Sequence, residues 1–170
     1  MGPELVVLLG ILGCGGTPMD QQIPINRGRG YTRAIDTLGV ELTVTASAAK
    51  AWEVLAAVYT DLGLEINFRE PAAVRLGSCF QKVRSRLGKK PLSTFVDCGD
   101  TNGLPNADRY EVAITVLTTV RPHPNGGASL FTFVQGVGLD GASSTNRRWC
   151  YSRGTLEERI RAGVAAKTES

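Results

Sequence analysis

The stretch from Tyr110 to Phe133 constrains this chain more than any other. Tyr110, Val112, Ile114, Val116 and Val120 alternate with Glu111, Thr115, Thr119 and Arg121. Pro122-His123-Pro124-Asn125-Gly126-Gly127 then turns the chain, and Ser129, Phe131 and Phe133 resume a strand. A period of two places apolar side chains on one face of a strand and polar ones on the other, and Asn-Gly favours a hairpin turn. The pattern predicts a long antiparallel hairpin whose apolar face has to be covered by a second layer.

The elements around it supply that layer. Val40, Leu42 and Val44 alternate with Glu41, Thr43 and Thr45 and predict a strand. Ser47 caps a helix in which Ala51, Trp52, Leu55, Tyr59 and Leu62 recur at spacings of three and four, and Gly63 supplies the left-handed residue that ends it. Leu64 to Phe68, Ala73 to Lys82 and Ser93 to Cys98 read as short strands, with a basic turn from Arg84 to Lys90. Thr155-Leu156-Glu157-Glu158 has the form of a capping box, and Leu156, Ile160 and Val164 share one face of a closing helix. The expected fold is α+β: an antiparallel sheet of about five to six strands with two helices packed on one face. It would occupy 31–166 as a single domain, with a frayed tail over 167–170.

Composition agrees with one ordinary domain: 170 residues, 42% of them apolar and 21% charged. The net charge of +3 is mild and the basic residues are interspersed with acids, so nucleic acid is not an expected partner. The N-terminus adds a compartment. The apolar run from Leu5 to Leu12 is far shorter than the roughly 20 residues of a membrane-spanning helix and suits the core of a signal peptide. Its flank carries Glu4 and no Lys or Arg, so the true start is expected upstream of Met1. Gly15-Gly16-Thr17-Pro18 and the stretch 21–30, with Pro24 and Arg27-Gly28-Arg29-Gly30, read as a flexible tether.

Ile11-Leu12-Gly13-Cys14 resembles the bacterial lipobox. That resemblance implies a leader over 1–13, lipidation of Cys14, a tether over 14–30, and attachment of the domain to a membrane through acyl chains. Gly15 after the cysteine, rather than aspartate, implies an outer-membrane, periplasmic location under the Gram-negative sorting rule. The segment from Val40 to Leu64, with Ala48-Ala49-Lys50-Ala51-Trp52 and Leu62-Gly63-Leu64, resembles the opening of two groups. One is the helix-grip superfamily of START and polyketide-cyclase domains. The other is the domain of BamC-type lipoproteins of the outer-membrane barrel-assembly machinery, which the lipobox favours. The likeness covers roughly a third of the folded part and transfers no functional residue.

In an exported chain Cys79, Cys98 and Cys150 fold where disulfides persist. The expected bridge joins Cys98, at a strand end, to Cys150, just before the last helix, while Cys79 is expected as a small buried apolar residue. The lone histidine, His123, stands in a proline-flanked turn and does not announce a Cys–His pair. Gly136-Val137-Gly138-Leu139-Asp140-Gly141 spells a dinucleotide fingerprint, but Ala142 to Asn146 read as a polar loop where a helix would have to begin, so a glycine-rich strand end is expected. Gly88-Lys89-Lys90 lacks the earlier glycine of a P-loop. Asp97, Asp100, Asn102, Asn106 and Asp108 are oxygen donors in one short stretch without the spacing of a calcium loop, and turn formation is the expected role. Arg84, Arg86, Lys89 and Lys90, or Arg147 and Arg148, offer charge to an anionic lipid or glycan, with a solvated surface as the default.

These readings lead to a non-enzymatic structural or interaction module, lipid-anchored in the cell envelope, with an envelope protein as partner and neither cofactor, metal nor catalytic residues. The alternative is a helix-grip binding module for an apolar or lipid-like ligand, which needs a cavity between Trp52 and the Phe131 and Phe133 strand.

Overall fold

The computed structural model describes residues 39–140 and 143–169. The expected leader over 1–13, Cys14 and the tether over 14–30 lie outside the described residues, as does Gly141 of the glycine motif.

Strand β1 (Val40–Val44) leads into helix α1 (Ala48–Asp61). The Ser47 hydroxyl accepts the Lys50 N–H at 3.3 Å, the bond expected of an N-cap. At the other end Gly63, at φ +79°, donates to the Thr60 carbonyl at 3.0 Å, and Leu64 donates to the Tyr59 carbonyl at 2.9 Å. These two bonds close the helix as a Schellman motif.

Next come β2 (Phe68–Glu70), β3 (Arg75–Arg84), the short pair β4 (Arg86–Leu87) and β5 (Lys90–Pro91), and β6 (Val96–Asp97). A second short pair, β7 (Asp100–Thr101) and β8 (Leu104–Pro105), precedes the long strands β9 (Glu111–Pro122), β10 (Ala128–Asp140) and β11 (Ser143–Ser152), and the chain closes with α2 (Thr155–Thr168). Among the described residues the main sheet has seven antiparallel strands in the order β2-β3-β9-β10-β11-β6, with β1 also on β10. The fold is α+β, with a larger sheet than the five or six strands expected.

Several boundaries differ from expectation for local reasons. Ser143 to Asn146, expected as part of a polar loop, open β11, with Ser143 paired to Asp140 of β10 before the register shifts to Leu139–Arg147. The strand expected over 93–98 is mostly a 3-10 turn at Leu92–Thr94, leaving β6 only two residues long. The strand expected over 64–68 begins only at Phe68, and the basic turn is the β4–β5 ribbon. Thr155 is not the cap of α2: Gly154, at φ +78°, holds that position, and the Thr155 hydroxyl donates to the Thr94 carbonyl at 2.6 Å. The tail expected to fray continues the helix to Thr168, where Lys167 meets Asp61 at 2.9 Å.

Register sets the faces. Val112, Ile114, Val116, Thr118 and Val120 of β9 stand opposite Gly138, Gly136, Val134, Thr132 and Leu130 of β10, and all are buried. Ala113, Leu117, Phe131, Phe133 and Val137 alternate with them on the other face and are half-buried. Helix α1 reaches the buried face through Tyr59, whose hydroxyl lies 2.9 Å from Thr118 Oγ1. Helix α2 contacts α1, β1 and β10. Gly136 and Gly138, the core of the dinucleotide-like motif, are mid-strand glycines: a Cβ at 136 would stand 2.8 Å from Val112 Cγ1, and one at 138 would stand 3.1 Å from the Tyr110 ring. Close packing over the sheet explains them without a phosphate.

Candidate functional site

Cys98 and Cys150 are joined, with an S–S distance of 1.99 Å across a separation of 52 residues. Cys150 lies on the buried face of β11 opposite Gly136, and Cys98 directly follows β6, so the bridge fastens the end of β6 to the sheet core. Both residues are buried.

The other singled-out residues are dispersed. Trp52 lies over Leu76 on the helix side and has the Arg69 guanidinium 6.0 Å from its ring. The hollow there is about 150 Å³, small beside the roughly 300–1,000 Å³ of ligand pockets. Phe131 and Phe133 point to the opposite face of the sheet, because they alternate with Thr132, which shares a face with Thr118 and so with Tyr59. The structure does not bring the three expected cavity residues together.

Cys79 is disulfide-bonded and half-buried rather than the small buried apolar residue expected; it sits where β3 bulges between Ser78 and Gln81, and the Asn67 side chain bonds both the Cys79 N–H, at 2.7 Å, and its carbonyl, at 2.9 Å. His123 Nδ1 accepts the Asn125 N–H at 3.3 Å within its turn. The oxygen-rich stretch is spent on local structure. Asp108 accepts both the backbone N–H and the hydroxyl of Ser93, and Asn106 Oδ1 accepts the Thr101 hydroxyl.

Beside the bridge lies a groove of which the sequence reading singled out Asp97 as an oxygen donor and Arg147 and Arg148 as charges open to an anion. This open groove of about 540 Å³ runs along the edge of β11 and is lined by Asp97, Arg147, Arg148, Trp149, Tyr151 and Arg153 among others. The register opposes Leu139, Val137 and Gln135 to Arg147, Trp149 and Tyr151, so these three share one face of the strand, while Arg148, opposite Gly138, takes the other. Tyr151 is 58% exposed, Trp149 is half-buried, and both Arg147 and Arg148 are exposed.

Asp97 is fully engaged. Its Oδ1 accepts the Gly99 N–H at 2.8 Å and its Oδ2 meets Arg153 at 3.0 Å. Among the described residues Arg147 and Arg148 have no ion-pair partner. The groove thus presents net positive charge beside two aromatic rings, an arrangement that recognises anions. In the sequence the run Arg147-Arg148-Trp149-Cys150-Tyr151 shows charge and aromatic residues but not the strand edge that organises them. No protein-family model and no curated protein matches this chain.

Proposed function

We propose that this protein is a lipid-anchored lipoprotein of the bacterial cell envelope, acylated at Cys14, whose α+β domain serves as a non-enzymatic structural or interaction module. In this reading the two helices cover one face of the sheet and the domain hangs from the outer membrane on its periplasmic side, as in BamC-type lipoproteins, and meets an envelope protein. The observation that carries it is the Cys98–Cys150 bridge. Disulfides persist in exported proteins and are reduced in the cytosol, so a buried bridge in the core supports the compartment that Ile11-Leu12-Gly13-Cys14 implies. The open groove beside the bridge supports interaction as the task.

The test is the intact mass of the protein purified from a bacterial membrane fraction, before and after reduction. A chain beginning at an acylated Cys14, with a gain in mass on reduction, is the expected result. An unprocessed, unlipidated chain beginning at Met1 with all thiols free would overturn the proposal and favour a cytosolic ligand-binding domain.

A further inference from the structure

We infer that the open edge of β11 captures an acidic, extended segment of a protein partner by strand addition. The inference rests on the reading of the chain as an interaction module and names the surface and the chemistry of its partner.

The backbone supplies the slot. β6 pairs with β11 only through Asp97–Tyr151 and Val96–Ser152, although β11 begins at Ser143. The chain leaves the ladder just past Cys98, where Asp97 holds the Gly99 N–H and Gly99 turns at φ +75°. The bridge to Cys150 pins that exit. Over 147–150, therefore, no described strand lies on the outer side of β11. An open strand edge is a row of N–H and C=O groups, and an extended peptide completes such a row with main-chain hydrogen bonds. A strand added here would lie end to end with β6 and continue its line.

The side chains supply the selectivity. Arg147, Trp149 and Tyr151 stand on one face at alternate positions, about 7 Å apart, and Arg148 stands on the other. Trp, Tyr and Arg are the residue types that dominate binding hot spots. The groove's carboxylate, Asp97, is already committed to Arg153 and Gly99, so the charge left for a partner is that of Arg147 and Arg148. Guanidinium groups pair with carboxylates through two parallel hydrogen bonds, which selects Glu and Asp side chains on the added strand. A lipid headgroup or a glycan would use the arginines but leave the strand edge idle, so the two features together favour a peptide.

The probe is a fluorescein-labelled octapeptide of alternating Glu and Val, titrated into the full chain and followed by anisotropy and by backbone amide shifts. Saturable binding is expected, with the shifts centred on 147–151. Arg147→Glu with Arg148→Glu, both at exposed positions, should weaken it by more than tenfold while the amide shifts of β9 and β10 stay in place. Methylating alternate backbone nitrogens of the peptide should weaken it by roughly tenfold, because the ladder bonds are lost. The inference is overturned if the octapeptide does not bind, if the N-methylated or a Lys-Val peptide binds equally well, if phosphatidylglycerol vesicles occupy the arginines and the peptide cannot compete, or if the chain pairs with itself along this edge. Acylation at Cys14 is read separately by mass, so the two proposals fail independently.

Discussion

Tyr59 heads the fully buried side chains, and its hydroxyl is the only polar group that α1 sends to the sheet among the described hydrogen bonds. It joins Thr118, which in turn lies 3.0 Å from Thr132, so a short polar line crosses an otherwise apolar layer. Burial disfavours the phenolate and pushes the Tyr59 phenol well above its ordinary value, while the bond from Thr118 opposes that shift. In the unfolded chain the phenol ionises near pH 10, whereas the folded chain keeps its proton. Above about pH 10 the native state therefore binds more protons than the unfolded one, and the contribution present below that pH is lost as pH rises. Tyr59→Phe should lower stability by about 1 kcal/mol at neutral pH and flatten the decline in alkali. Urea unfolding at about pH 8 and pH 11 checks both parts. An equally steep alkaline loss in the variant would assign the effect to another group. The helical period placed Tyr59 on the apolar stripe, but Thr118 was hidden, because a threonine among valines reads the same whether its hydroxyl is buried or wet.

At the scale of elements, local signals were legible and distant ones were not. The caps of α1, its stripe and the β9–β10 hairpin follow from periods and turn residues within a few positions, and all stand where the pattern put them. The opening of β11, Ser143 to Asn146, has no apolar alternation; its link to the sheet is the distant pair Ser143–Asp140, from which the ladder resumes only at Arg147–Leu139. The groove's open edge was invisible for the same reason: the shortness of β6 is a fact about pairing, not about any run of residues. The contact between helices is equally non-local. Gly163 of α2 lies against Val58 of α1, and a Cβ at 163 would stand 2.8 Å from Val58 Cγ1, a branched side chain with little freedom to move. Helix propensity alone says that Gly163→Ala should stabilise α2 by about 1 kcal/mol. Crowding against Val58 should reverse the sign, to a loss of roughly 1 kcal/mol. In a Val58→Ala background the clash is relieved and Gly163→Ala should become stabilising, which a double-mutant cycle on urea midpoints reads directly. Additive effects would show that the helices do not meet at this pair.

For the molecule as a whole, the Cys98–Cys150 bridge joins the end of β6, which precedes the two long strands, to β11, the strand after them. The cross-link spans 52 residues that include β9 and β10, so in the unfolded chain it closes a loop over the centre of the fold. On the chain-entropy model such a loop stabilises the native state by about 4 kcal/mol, a large share of the roughly 5–15 kcal/mol that holds a domain together. Replacing both residues, Cys98→Ala with Cys150→Ala, should therefore lower unfolding stability by about 4 kcal/mol, with an added cost from the small void left by the buried sulfur atoms. The loss should not be uniform. β9 and β10 are held by a continuous ladder from Ala128–Pro122 to Leu139–Glu111, whereas β6 is held at the end of β11 by two residue pairs, the bonds from Arg153 to Asp97 and to the Phe95 carbonyl, and the bridge. Without the bridge the amides around 96–99 and 149–152 should exchange with solvent well before those of the long ladder. Hydrogen exchange on the double variant separates two roles. Early opening confined to that edge, with the sheet centre still protected, means the bridge fixes the end of β6 and the boundary of the groove. Equal loss of protection everywhere means that it acts only through the unfolded chain, and the groove's boundary then owes nothing to the bridge in the folded state.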